Sequence, residues 1–254
     1  MKLSGLLFII AQLASENIIE ACKCVERNDD IKPYNIIQYA NDVFSFMTSN
    51  SNTSADFENL SIKELWKSLE NWYQEYCPDA YKSLGPPITT EELQELETEL
   101  GVRLPADYKE SLLVHNGGGY PLFEFSECYM DHKNVIGEWE LMMDVLEDIG
   151  SDDCDGCDFE NDFPEIRDVF WSSKWIPFTA DGGGQSFFID LDPTSVGNVG
   201  QVGSYDHESG VDMFLGKNFH EFFSNYVRDI YCGKYSIDEW GYLSKHRFLT
   251  PESF

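Results

Sequence analysis

Between Ile88 and Tyr120 the chain reads ITTEELQELETELGVRLPADYKESLLVHNGGGY, and the local signals there agree on one pattern: helix, stop, helix, stop. Thr89 or Thr90 suits the N-cap of the first helix, and Glu92 stands at capping-box distance from Thr89. Leu93, Leu96 and Leu100 recur at three and four residues, which makes one apolar stripe. Gly101 falls where a C-cap belongs, and Val102 and Leu104 lead the chain back inward. The pair Leu104-Pro105 cannot continue a helix, yet Pro105 suits the first position of a new one. In that second helix Tyr108, Leu112 and Leu113 are expected on one buried face, and Asn116-Gly117-Gly118-Gly119 ends it. Two short helices meeting at a Leu-Pro elbow are a packing unit and hold no reactive constellation.

The flanking chain supplies what this unit packs against. Ser61 caps a helix over SIKELWKSLENWYQEY, with Glu64 three residues on and Leu65, Leu69, Trp72 and Tyr76 expected along one face. Pro78 and Gly85-Pro86-Pro87 break it. After the glycines, residues 121–129 alternate like a strand, and residues 139–149 read as a helix. Trp175–Phe178 and Phe187–Leu191 read as strands joined by a turn at Asp181-Gly182-Gly183-Gly184. Gly200-Gln201-Val202 opens a third strand that ends near Tyr205-Asp206-His207. Three strands with Gly-rich turns form a β-meander. Asn218–Asp229 closes the sequence of elements as an amphipathic helix, with Phe219, Phe222, Phe223 and Tyr226 on its apolar side and Gly233 behind it.

Two blocks now stand in order. The first is E-x-x-L-G-V-x-L-P-x-D-Y-K-x-x-L-x-x-x-N-G-G, carried by Glu97, Leu100, Gly101, Leu104, Pro105, Asp107, Tyr108, Leu112, Asn116, Gly117 and Gly118. The second is W-I-P-F-x-x-D-G-G-G, then D-L-D-P, G-Q-V and F-x-E-F-F. Together they resemble the SUKH superfamily, in particular its Smi/Knr branch, named for a fungal cell-wall assembly regulator. The resemblance covers roughly residues 62–240. It implies an α+β fold, a mixed and mostly antiparallel sheet with helices packed around it, and this agrees with the periodicity. The expected organisation is a helical extension and linker over 1–55, the Smi/Knr-like domain over 60–240 and a tail over 241–254.

Charge bears on function. Lysine and arginine total 17 against 46 aspartates and glutamates, a net charge of −29. Such a field repels nucleic-acid phosphates and anionic membranes and steers cationic partners inward, although it also serves plain solubility. Between Glu138 and Glu165 the sequence has twelve carboxylates and no Lys or Arg. Seven irregularly spaced cysteines fit reduced thiols in a cytoplasmic protein. The opening residues recur at helical spacing (Leu3, Leu7, Ile10, Ala14, Ile18, Ala21, Val25), as in a docking helix. They are too short and interrupted for a membrane span, and no A-x-A-like cleavage site follows them.

Catalytic and metal motifs are weak. Cys154-Asp155-Gly156-Cys157 is a lone C-x-x-C, with only Cys128 and His132 upstream as irregularly spaced further ligands. Ser151–Asp162 overlays a calcium loop imperfectly, with serine at its first position and aspartate at its last. The glycine runs lack a P-loop lysine. His207 beside Asp206 is the best catalytic candidate, and a strand-end pair satisfying a turn is the simpler reading. The expectation is therefore a non-catalytic protein-binding module with no cofactor, no metal and no nucleic-acid partner. In bacteria the resemblance implies immunity proteins that neutralise a basic, nuclease-like toxin, and an acidic surface suits that role. In eukaryotes it implies regulatory scaffolds in cell-wall synthesis or signalling. A metal-dependent enzyme is the remote alternative. The residues expected to meet the partner are Asp152, Asp153, Asp155, Asp158, Asp181, Gly182 and Gly183.

Overall fold

Serine 61 and threonine 89 both start helices by the same reciprocal device. Each hydroxyl accepts the N–H three residues on (Glu64, Glu92), while that glutamate's carboxylate accepts the cap's own N–H. The computed structural model describes residues 57–118, 122–123, 128–149, 162–237 and 243–245. Its helices are α1 (Ile62–Tyr76), α2 (Pro78–Ser83), α3 (Thr90–Glu99), α4 (Ala106–Leu112), α5 (His132–Ile149) and α6 (Phe219–Tyr231). The strands are β1 (Cys128–Tyr129), β2 (Trp175–Pro177), β3 (Thr179–Ala180), β4 (Gln185–Asp190), β5 (Gln201–Asp206), β6 (Gly210–Gly216), β7 (Tyr235–Ile237) and β8 (Leu243–Lys245).

The main sheet is antiparallel in the order β2-β4-β5-β6. Strand β3 continues the line of β2 and pairs with β1, and β7 pairs with β8. The α+β expectation holds, with a fourth meander strand, β6, that the sequence reading missed. Both faces of the sheet are buried, and the strand alternation decides which residue goes where. Ile176, Phe187, Ile189 and Val202 join α1, α3, α4 and α6 in the larger core. Trp175, Phe188, Tyr205 and Val211 point the other way, onto Trp171, Ile166 and the Met142–Met143 part of α5. Trp175 stacks on Phe188 at 4.4 Å between ring centroids, and Trp171 meets Tyr205 edge-on at 5.0 Å.

Three helical details depart from the periodicity. The buried stripe of α1 is Ile62, Leu65, Trp66, Leu69 and Tyr73, whereas Tyr76 is exposed and Trp72 only half-buried. Trp66 takes the central place because its indole donates to Ser111 of α4 (2.9 Å) and its ring packs on Phe223. Pro105 is the N-cap of α4, one residue before its expected place. Leu113 lies beyond the last helical residue and is 53% exposed, while Tyr108, Ser111 and Leu112 form the buried face.

The two motif blocks turn out to be joints. Glu97 at the end of α3 accepts the Leu104 N–H (2.9 Å), the Lys109 ammonium (3.2 Å) and the Arg103 guanidinium (2.8 Å), which clamps the elbow. Burial pushes this carboxyl up, but the Leu104 N–H and the two cations outweigh it and hold it below the usual carboxylate range. Asp107 reaches α6, accepting the His220 N–H at 3.0 Å and so satisfying an otherwise orphaned donor at that helix start. Asn116 holds the first residue of α5: its Oδ1 accepts the His132 N–H (2.9 Å) and its Nδ2 donates to His132 Nδ1 (2.8 Å). A Cβ on Gly118, at φ +91°, would collide with the Ser83 carbonyl, so this backbone crossing requires glycine. In the second block buried Asp190 accepts from Gln201 Nε2 at 2.8 Å, which ties the D-L-D-P strand end to the G-Q-V strand start. Burial raises the Asp190 carboxyl above its ordinary value against these hydrogen bonds.

Candidate protein-interaction surface

Since most motif side chains are buried in the joints of the fold, the partner surface is sought where acidic groups reach the surface. The predicted turn is the place to begin. Asp181 Oδ1 accepts from the Gly183 N–H (2.6 Å) and the Gln185 N–H (2.9 Å), which closes the hairpin between β3 and β4. Gly182 takes φ +75° at its tip, and Gly182 and Gly183 are exposed.

The sheet register brings a second acidic turn beside the first. Gln185 of β4 stands opposite Asp206 of β5, and its amide donates to Asp206 Oδ2 at 2.9 Å. The Glu208 and Ser209 N–H groups donate to Asp206 Oδ1. The Gln185 bond first, then these backbone donors and the nearby His207, hold the Asp206 carboxyl below its ordinary value against its slight burial. With Asp206 so engaged and the His207 ring lying over Gly184, the pair serves the turn and does not form a hydrogen-bonded catalytic dyad.

Glu138 of α5 completes the junction. It is half-buried, and burial first and then the charge of Asp181 push its carboxyl upward. Further along α5, Glu140, Leu141, Asp144, Glu147 and Asp148 are all exposed. Their spacing keeps them on one side of the helix. The last turn of α5 holds acidic residues and no basic one, the unfavourable sign for a helix C-terminus. Among the described residues none of these carboxylates pairs with Lys or Arg, and the His207 ring lies 3.9 Å from Glu208.

The structure thus joins Asp181, Gly182 and Gly183 to Glu138, Asp206 and Glu208. The last two were missed as surface residues, and their signal was the pairing of two adjacent hairpin turns. Asp152, Asp153, Asp155 and Asp158 lie outside the described residues, as do Cys154, Cys157 and the segment 1–55. Among the described residues no group of three or more His, Cys, Asp or Glu is placed to hold a metal ion. No described helix is long and apolar enough to cross a membrane.

Residues 87–225, more than half of the chain, match the SMI1 / KNR4 family (SUKH-1). The chain belongs to that family. It is similar to the glucan synthesis regulatory protein of Neurospora crassa, with 24% identity over 212 residues, 70% of this chain and 40% of the relative. The cell wall biosynthesis/cell cycle regulator smi1 of Schizosaccharomyces pombe is 27% identical over 190 residues, 70% of this chain and 38% of the relative. The cell wall assembly regulator SMI1 of Saccharomyces cerevisiae is 22% identical over 210 residues, 68% and 41%. The chain therefore spans about two fifths of the length of these curated relatives. These three are regulators by name and none is named as an immunity protein, so their names favour the regulatory reading over the toxin-neutralising one.

Proposed function

We propose that this chain is a regulatory protein-binding module in the control of cell-wall or glucan synthesis, that it acts without catalysis, and that its partner is a basic protein. One observation carries the partner class: an acidic flank, from Glu138 and the outer side of α5 to the Asp181 and Asp206 turns, with no Lys or Arg pairing among the described residues. Carboxylates held side by side without counter-charge repel one another, and a cationic surface docking there relieves that repulsion while the long-range field speeds its arrival. The names of the fungal relatives support the pathway. The run from 150 to 161 is equally acidic in sequence, and Asp152, Asp153, Asp155 and Asp158 are proposed as further partner-binding residues.

The test is capture of partners by the tagged full-length chain from a fungal lysate at low and at high salt. The reading expects a basic regulatory or wall-synthesis protein that is retained at low salt and released at high salt. Recovery of a nuclease toxin would restore the immunity reading. A partner whose retention ignores salt would refute the acidic flank.

A further inference from the structure

At the end of the sheet away from the Asp181 and Asp206 turns, Asp190 of β4 stands opposite Gln201 of β5. Both side chains are fully buried, at the mouth of the β4–β5 loop, residues 191–200. Their bonds hold that loop onto the segment 164–165. Gln201 Nε2 donates to Asp190 Oδ2 (2.8 Å) and to the Glu165 carbonyl (2.9 Å), while its Oε1 accepts the Asn198 N–H (2.9 Å). The Thr194 N–H also donates to the Glu165 carbonyl (3.1 Å), and the Thr194 hydroxyl to the Pro164 carbonyl (2.6 Å). A Cβ on Gly197 would strike the Glu165 carbonyl, so loop and segment lie in direct contact.

The Asp190 carboxylate meets only donors. The Asp192 N–H donates to Oδ1 (2.9 Å) and Gln201 to Oδ2. The Trp175 indole N–H also favours the ionised form; it stands opposite Asp190 in the β2–β4 register and has no hydrogen-bond partner among the described residues. The charge of Asp192 opposes ionisation, and Asp192 is itself paired with Arg167 at 3.0 Å. Glu165 and Lys174 take part through their carbonyls, the latter accepting the Leu191 N–H (2.9 Å). A protonated Asp190 can therefore give its proton only to Gln201 Oε1, and to offer that oxygen the Gln201 amide must turn over. Oε1 then faces the Glu165 carbonyl and Nε2 faces the Asn198 N–H, acceptor against acceptor and donor against donor. Both ties from Gln201 to the loop and the segment are lost. Burial first, and then Asp192, raise this carboxyl, so the proton arrives at a pH at which ordinary aspartates are still ionised.

We propose that Asp190 is a proton-operated latch on the β4–β5 loop. Ionised, it holds the loop on the 164–165 segment through Gln201. Protonated, it releases the loop, with its exposed Val196 and Val199, while the sheet and the larger core stay folded. The latch depends neither on the acidic flank nor on the identity of a partner.

The experiment is an NMR pH titration of the ¹³C,¹⁵N-labelled full-length chain. The Asp190 carboxyl carbon is expected to titrate above the ordinary aspartate range, and the Asn198 N–H and the Gln201 side-chain amide should shift with the same midpoint. The Trp66 indole N–H, bonded to Ser111 in the larger core, should stay unchanged through it. Asp190→Asn puts a donor where the carboxylate accepts, and should fix the loop signals at their acid positions at every pH. Asp192→Asn, at an exposed position, should move the midpoint down because it removes the charge that opposes ionisation. An Asp190 midpoint within or below the ordinary range, or loop signals that ignore it, would overturn the latch. So would a Trp66 signal that moves with the same midpoint, which would mean acid unfolding of the whole domain, or an Asp192→Asn midpoint that stays or rises. The wild-type titration and Asp192→Asn decide the matter even if Asp190→Asn does not fold.

Discussion

Replacing Glu97 by alanine removes the acceptor on which the Leu-Pro elbow closes. The variant leaves the Leu104 N–H, beside a side chain only 4% exposed, without its carboxylate partner. An unmet buried donor costs about 1–3 kcal/mol. The Lys109 contact is partly buried and adds about 0.5–1 kcal/mol, while Arg103 is 88% exposed and adds little. The sum is about 1.5–4 kcal/mol for Glu97→Ala and about 1 kcal/mol for Glu97→Gln, which keeps an acceptor but loses the charge. The pH dependence follows from the depressed carboxyl of Glu97. A group whose folded pKa lies below its unfolded value contributes stability above the unfolded value and loses it as pH falls through the folded one. The advantage of wild type over Glu97→Gln should therefore be full at neutral pH and shrink as pH falls below the ordinary glutamate range. Urea unfolding of both proteins over a series of pH values measures it. An advantage that is absent at neutral pH, or unchanged down through the acid range, would refute the clamp.

Glu138 has the opposite sign, since burial and Asp181 raise its carboxyl. Glu138→Gln should gain on wild type as pH rises from the ordinary glutamate range through the raised folded value, and a flat or inverted difference in the same unfolding series would contradict this. Adjacent leucines should separate cleanly: Leu112→Ala should lose about 2–5 kcal/mol and Leu113→Ala less than about 0.5 kcal/mol in denaturant melts, because only the first is buried. Gly118→Ala should destabilise the domain by more than the ~1 kcal/mol of a left-handed backbone alone, because its Cβ also meets the Ser83 carbonyl, and thermal melts would show the loss.

Much of the architecture was legible because its causes are local. The capping boxes at Ser61 and Thr89, the positive-φ Gly101 behind α3 and the apolar side of α6 all follow from residues within one turn of each other. The misses lie where tertiary contacts outweigh periodicity. Leu113 fits the spacing of α4, but the helix ends at Leu112, and the strip at Gly85–Ile88 pairs with its exit. The start of α5 was placed late because its cap is Asp131, whose Oδ1 accepts the Lys133 and Asn134 N–H groups, and no apolar repeat announces it. Strand β6 escaped because its outer positions are half-exposed and its register against β5 is irregular. The acidic flank was half legible. The charge run and the Asp181 turn stand in the sequence, but only the opposition of Gln185 and Asp206 shows that the turn after β5 shares that edge.

The division of labour within the family signature is the central claim: its buried residues build the domain, while its exposed D-G-G-G turn joins the acidic flank proposed to meet the partner. Its most direct test is the association rate of the captured basic partner with wild type and with the Asp144→Lys, Glu208→Lys double variant, both exposed positions whose side chains hold no turn together, measured over a series of salt concentrations. The account predicts a wild-type rate that falls steeply with salt, and a variant that is folded, slower at low salt and nearly insensitive to it. Equal rates and equal salt slopes in the two proteins would contradict it.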